Sequence, residues 1–289
     1  MNKAFKYLYN YPQLSLGIKE GMSQSEEYRN IVRRGILPEK LDFPFELSGE
    51  EDEYTLNTPC GEVNVLYLPD RNIFEYFIKV LAHRNEPVEL PASMGASLIS
   101  GINNWRRIYA HKEEYERNKG NDWDEEFNRF ISVKENYKDT VLIVSKGYYS
   151  ALKPEYIDMD SDEWIDKSRT IRIYHEISHY ISRRLFIENK EALRDEIVAD
   201  AMGFIAAFGY YEKTIAEKVL GIENEVLNRN GRLVNYVGEE ELDSSIDRAH
   251  KTIDALDEYI KSKDIDDVFD LLLDIEKEKV ALWKTDWYL

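Results

Sequence analysis

His175-Glu176-Ile177-Ser178-His179 is the stretch from which the rest of this 289-residue chain is read. Residues four apart on an α-helix share a face, one turn apart. His175 and His179 can therefore present two imidazole nitrogens to one metal ion. H-E-x-x-H on a helix is a zinc-binding pattern that carries its own general base. Glu176 is rotated by about 100° from His175. It can accept a proton from an activated water without being a ligand. The chain holds five histidines, and at that frequency the expected number of accidental matches is on the order of 0.01. The bland alternative is a partly buried amphipathic helix whose histidines only make hydrogen bonds.

The flanks predict a helix with this face turned to a cleft. Ile173, Ile177, Tyr180 and Ile181 fall on the arc opposite the histidines, with Leu185 at its edge, and that arc is predicted to pack into the core. Ser182 falls on the histidine side and Ser178 borders it. Both are small and polar, as the wall of a wet cleft requires.

A catalytic zinc usually has three protein ligands and one open position. The next helix runs through Arg194-Asp195-Glu196-Ile197-Val198-Ala199-Asp200-Ala201-Met202-Gly203. Glu196 and Asp200 share a face, and Ala192, Ala199 and Gly203 lie close to it. Small residues there would let this helix approach the first closely. Leu193, Ile197, Ala201, Phe204, Ile205 and Phe208 form a separate apolar arc for the core. Asp195 and Glu191 are rival third ligands, but Asp195 points about 100° away from Glu196. Only one of those two can face the metal, and Glu196 is favoured because it pairs with Asp200.

An H-E-x-x-H helix followed by a helix carrying E-x-x-x-D resembles the gluzincin metallopeptidases, whose type member is thermolysin. The matching residues are His175, Glu176, His179, Glu196 and Asp200. The form Glu196-Ile197-Val198-Ala199-Asp200 looks like that of several gluzincin families. The resemblance implies Glu196 as third zinc ligand and Asp200 as a carboxylate that orients a ligand histidine. Sixteen residues separate His179 from Glu196, slightly tighter than in the shorter-spaced gluzincins. That interval accommodates the end of one helix, a turn around Glu188-Asn189-Lys190 and the first turn of the next. The resemblance covers about residues 140–210. Residues 180–190 contain neither the third histidine nor the glycine that a metzincin would need.

Composition bounds the function class. Hydrophobic content is 43% and charged content 33%, an ordinary globular balance with enough apolar residues for one large or two modest cores. The formal net charge of −18 argues against nucleic acid and anionic membranes as partners. No run approaches the eighteen or so apolar residues of a membrane span. Met1-Asn2-Lys3-Ala4-Phe5-Lys6-Tyr7 is not followed by the apolar stretch of a secretion signal. The single cysteine, Cys60, cannot form an internal disulfide and fits a reducing, cytoplasmic setting.

Along the chain, residues 1–50 read as an irregular N-terminal arm with short helical pieces, punctuated by Pro12, Pro38 and Pro44. Glu62 to Leu68 alternates as a strand after a turn at Pro59-Cys60-Gly61. Asn72 to about His83 has helical spacing. The small-residue stretch Pro91 to Gly101 reads as a loop, followed by charged helices at about 102–118 and 123–137, parted at Lys119-Gly120-Asn121-Asp122. Thr140-Val141-Leu142-Ile143-Val144-Ser145 is a β-branched strand. In gluzincin-like folds an edge strand upstream of the H-E-x-x-H helix holds an extended peptide by β-augmentation, and this strand is expected to be that edge. Beyond Gly221, helices are expected near 239–262 and 265–287, with a short extended piece at Leu233-Val234-Asn235-Tyr236-Val237.

The predicted fold is helix-rich α+β, with a small mixed sheet and a helical C-terminal part. The resemblance adds a zincin-like catalytic core. The expected division is an N-terminal arm over 1–50, an α/β subdomain over 51–190 ending in the H-E-x-x-H helix, and a helical subdomain over 191–289 carrying the third ligand. The expected function is zinc-dependent hydrolysis of peptide bonds, with Zn²⁺ on His175, His179 and Glu196 and with Glu176 as general base. The substrate is a peptide or protein, with no nucleic acid or membrane as partner. Gluzincins often add a downstream Tyr or His as oxyanion donor, for which Tyr210, Tyr211, Tyr236 and His250 are the candidates. Alternatives are a hydrolase of another amide, a metal-retaining binding or regulatory module without turnover, and a helical interaction protein without metal.

Overall fold

The computed structural model of the chain describes residues 5–118, 120–186, 191–223, 226–227, 232–237 and 241–282. Met1 to Ala4, Lys119, the turn expected at Glu188-Asn189-Lys190, residues 239–240 and the last expected helix beyond Leu282 lie outside these. The elements in chain order are α1 (Phe5–Asn10), α2 (Glu26–Tyr28, running into a π-helical turn at Arg29–Arg33), β1 (Asp52–Thr58), β2 (Gly61–Leu68) and α3 (Arg71–Leu81). Next come β3 (Ala96–Asn103), α4 (Trp105–Arg117), α5 (Trp123–Ser132), β4 (Lys138–Ser145), α6 (Ser161–Leu185) and α7 (Ala192–Phe208). The chain closes with α8 (Lys213–Leu220), β5 (Ile222–Glu223), β6 (Val226–Leu227), α9 (Leu242–Lys261) and α10 (Val268–Leu282). The architecture is helix-rich α+β with a small mixed sheet.

The chain divides into two compact units. One comprises Met1–Asn57 and Glu62–Lys146, the other Thr58–Gly61 and Gly147–Leu289. The boundary expected at 190/191 would part α6 from α7. Those two helices instead pack on each other within one unit, so the division falls at 146/147.

The first unit is built on a four-stranded sheet of order β1-β2-β4-β3. β4 runs parallel to β2, with Leu66 opposite Ile143, and antiparallel to β3, with Leu98 opposite Leu142. Val141, Leu142, Ile143 and Val144 are fully buried, as both-face burial of a β-branched run dictates. β4 is therefore an interior strand and not the expected edge. β1 and β3 are the edges, and β3 lies in the stretch expected to be a loop and the start of a helix. Its pairing with β4 outweighs its small, polar composition, and a register shift between Ser100 and Ile102 flanks Gly101, whose φ is +82°. The following helix begins only at Trp105, capped by the Asn104 side chain. α5 likewise stops at Ser132, short of the expected 137, and is followed by a 3₁₀ turn at Lys134–Asn136.

α3 starts where the Asp70 carboxylate accepts from the backbone N–H of Asn72 and Ile73. Its Phe74, Phe77 and Ile78 pack with Tyr11, Leu66, Leu68 and Ile143 in one buried cluster. Burying each such side chain contributes about 1.5–3 kcal/mol.

In the second unit α6 runs 25 residues. Asp160 caps its start, accepting from the N–H of Asp162 and Glu163. Ile173, Ile177, Tyr180 and Ile181 are buried, as their arc predicts, but Leu185 is exposed. α7 ends on Gly209 in the left-handed region, φ 83°. The extended piece expected at 233–237 is instead a 3₁₀ turn, Arg232–Asn235, with Leu233 buried. Among the described residues no helix is long and apolar enough to cross a membrane.

Candidate metal centre

α6 and α7 come together because α7 carries small residues on the facing side. A Cβ added to Gly203 would stand 2.8 Å from the Ile171 carbonyl oxygen and 2.9 Å from Ile171 Cγ2. Any larger residue would push the helices apart. At this separation the histidine face of α6 meets the acidic face of α7.

Three side chains converge there. His175 Nε2 lies 3.2 Å from His179 Nε2. Glu196 places Oε2 3.4 Å from His175 Nε2 and Oε1 3.1 Å from His179 Nε2. Among the described residues this is the group of His, Cys, Asp or Glu side chains close enough to hold one metal ion. Asp195, one position from Glu196, pairs with Arg194 and lies outside the cluster. Glu191, exposed at the N-cap of α7, is also outside it. Beside the cluster is a cavity of about 290 Å³, lined by His179 and Glu196 together with Ser178, Ser182, Asp195 and Ala199. Ser182 and Ser178 thus sit on the cavity wall.

Asp200 is buried one turn beyond Glu196 and accepts from His175 Nδ1 at 2.8 Å. This leaves His175 Nε2 directed at Glu196 and His179. Two residues that the sequence reading did not single out complete the surroundings. The Tyr149 hydroxyl donates to Asp200 Oδ1 at 2.5 Å and stands 3.0 Å from His175 Nδ1. Arg232 Nη2 donates to Glu196 Oε2 at 3.0 Å, and its Nη1 donates to the Tyr149 hydroxyl at 2.9 Å and to Asp200 Oδ1 at 3.2 Å. Neither residue lies in a spacing pattern. Both reach the cluster only through the fold, across 51 and 32 residues from Asp200.

Of the donor candidates, Tyr236 adjoins the cluster, its hydroxyl accepting from Arg232 Nε at 2.9 Å and Nη2 at 2.8 Å. His250 does not. It sits on α9 with Nδ1 3.1 Å from Glu217 Oε1 on α8. Tyr211 is buried against Phe204 and Tyr210 is exposed, and among the described residues neither makes a hydrogen bond to the cluster. Glu176 is half-buried and makes no hydrogen bond or ion pair among the described residues.

The electrostatics follow from burial and pairing. Burial disfavours a charge on His175, but hydrogen bonds to Asp200 and Glu196 outweigh it and raise the imidazole to about 9. Burial likewise works against the Glu196 carboxylate, yet the two histidines hold it far below the usual range. Asp200 is depressed by the Arg232 charge and the His175 hydrogen bond, against the opposing effect of burial. Burial pushes the Tyr149 hydroxyl well above its ordinary value, so it stays a neutral donor. Two carboxylates and one guanidinium leave one net negative charge in a largely water-excluded place, which a cation or a protonated imidazole must offset.

The donor set fits Zn²⁺. Two nitrogens each bonded to tetrahedral zinc stand about 3.3–3.4 Å apart, and the imidazole nitrogens here stand 3.2 Å apart. With Nδ1–H of His175 engaged by Asp200, the neutral ring carries its lone pair on Nε2, the atom in the cluster.

The sequence model of a family of unknown function, DUF7005, matches residues 1–265. The chain belongs to this family. The matched residues include the whole cluster, so the convergence of His175, His179 and Glu196 lies inside the DUF7005 region. No curated protein matches the chain, and no solved structure does.

Proposed function

We propose that this DUF7005 protein is a zinc-dependent hydrolase with a zincin-like core, acting on peptide bonds in the manner of the gluzincins it resembles. The observation that carries the reading is the convergence of His175 Nε2, His179 Nε2 and the Glu196 carboxylate, with Glu176 on the same helix. His175, His179 and Glu196 would hold the ion. Zn²⁺ bound there supplies a lowered water pKa and polarisation of the scissile carbonyl.

The side chains around it have separable tasks. Glu176, unencumbered by hydrogen bonds among the described residues, accepts the water proton and returns it to the leaving amine. Asp200 holds His175 by Nδ1. Arg232 and Tyr236 bring donors to the Glu196 side of the cluster, where negative charge developing on the attacked oxygen would be stabilised.

One rival reading has its own support. His175, Asp200, Tyr149, Arg232 and Glu196 already form a continuous hydrogen-bonded network, and a purely structural network would look the same. Metal analysis of protein purified without chelator separates the two. About one equivalent of zinc, lost in His179→Ala, supports the hydrolase reading, and metal-free protein supports the network. Glu176→Gln is expected to retain zinc and to lose cleavage of a peptide library. Undiminished cleavage by that variant would exclude the assigned role of Glu176.

A further inference from the structure

We infer that Tyr149 is a positioning residue for His175, fixing through its hydroxyl the ring orientation that aims Nε2 at Glu196 and His179. The inference rests on the zinc reading for its purpose, but on the described contacts for its geometry.

The hydroxyl lies at the centre of the network. It donates to Asp200 Oδ1 at 2.5 Å, the same oxygen that takes the His175 Nδ1 hydrogen bond at 2.8 Å. It also stands 3.0 Å from Nδ1 itself. Arg232 Nη1 donates to it at 2.9 Å. That donation occupies a lone pair and leaves the hydroxyl proton directed at Asp200. The carboxylate therefore cannot rotate away from His175 without breaking the bond to Tyr149.

The ring is held as firmly as its hydroxyl. It meets His175 edge-on at 6.1 Å between centroids and Phe204 edge-on at 6.3 Å. The Tyr149 N–H donates to Ser168 Oγ at 2.8 Å. Arg172 donates to the carbonyls of Gly147 and Tyr148 at 2.6 and 2.7 Å. Ser150 and Ala151, directly after it, carry φ of 54° and 55°, a left-handed backbone that non-glycine residues seldom adopt. Such strain persists where the surroundings over-determine it. A phenylalanine would fill the same space without burying a hydroxyl, so packing alone does not account for a tyrosine here.

The test compares Tyr149→Phe with the wild type and with Tyr211→Phe, a control that removes a buried hydroxyl having no hydrogen-bond partner among the described residues. Two quantities are read: the ¹⁵N signal of His175 Nδ1 in metal-free protein, and Zn²⁺ affinity by chelator competition. The expectation for Tyr149→Phe is a displaced Nδ1 signal and a zinc affinity about 10–100-fold weaker, with both unchanged in Tyr211→Phe. An unmoved Nδ1 signal overturns the inference whatever the zinc affinity. A moved signal with unchanged zinc affinity overturns it as well, since the aim of the imidazole would then be irrelevant to the ligand set. If the wild type binds no zinc, the hydrolase reading fails by itself and the Nδ1 signal alone decides the role of Tyr149.

Discussion

Gly203 on α7 lies against the backbone of Ile171 on α6, close enough that a Cβ would stand 2.8 Å from the Ile171 carbonyl oxygen. The obstruction is backbone, so it cannot be relieved by a rotamer change. The whole cluster depends on this approach, because His175 and Glu196 reach each other only at this helix separation.

Gly203→Ala should therefore destabilise the protein although alanine is the better helix former. The propensity gain is about 0.8–1 kcal/mol, while forcing a methyl into a packed interface costs about 1–3 kcal/mol. A net loss of about 1 kcal/mol is expected from denaturant midpoints, with a larger loss for Gly203→Val. A stabilised alanine variant would show that the helices separate at little cost.

Asp200 accepts hydrogen bonds from Tyr149, His175 and Arg232 in a buried position. Asp200→Ala strands an imidazole and leaves the guanidinium with Glu196 as its remaining carboxylate partner among the described residues. The expected cost is about 3–5 kcal/mol, the range for breaking a buried charged pair. Equilibrium unfolding giving a loss below about 1 kcal/mol would mean that water or another side chain replaces the carboxylate.

Glu196→Ala is expected to weaken zinc binding far more than Asp195→Ala, since only Glu196 approaches both imidazole nitrogens. Equilibrium competition with a chromophoric chelator measures both. The reverse order would name Asp195 as the ligand and require the first turn of α7 to rotate.

The pH dependence of the metal-free protein has a definite sign. His175 is raised to about 9, above its ordinary value of about 6.5. Its contribution is fully present below about pH 6.5 and is lost as pH rises through about 9, amounting to at most about 3 kcal/mol. Asp200 and Glu196 are depressed. They stabilise the fold above the usual carboxylate range and cease to do so as pH falls through their folded values. The melting temperature without metal should thus decline between pH 6.5 and 9, while zinc affinity rises over the same interval as the competing proton leaves His175. A metal-free melting temperature that is flat across that window would contradict the pairing described for His175.

How much could be read in advance varied with the range of the interaction. The H-E-x-x-H helix, its buried arc at Ile173, Ile177 and Ile181, and the shared face of Glu196 and Asp200 all follow from a 3.6-residue repeat. The close approach at Gly203 follows from residue size. β2 and β4 are legible because alternation and β-branching are local properties. β3 is not, since Ala96–Asn103 becomes a strand only by pairing with β4 across some forty residues of intervening chain.

The sequence alone determined which side chains share a helix face: His175 with His179, and Glu196 with Asp200. Helical geometry imposes that on any chain. Only the tertiary structure decided that β4 is enclosed by β2 and β3, that His250 pairs with Glu217 on α8, and that Tyr149 and Arg232 close around Asp200. Those contacts join residues tens of positions apart. No local repeat encodes them, because they arise from how the helices and strands pack.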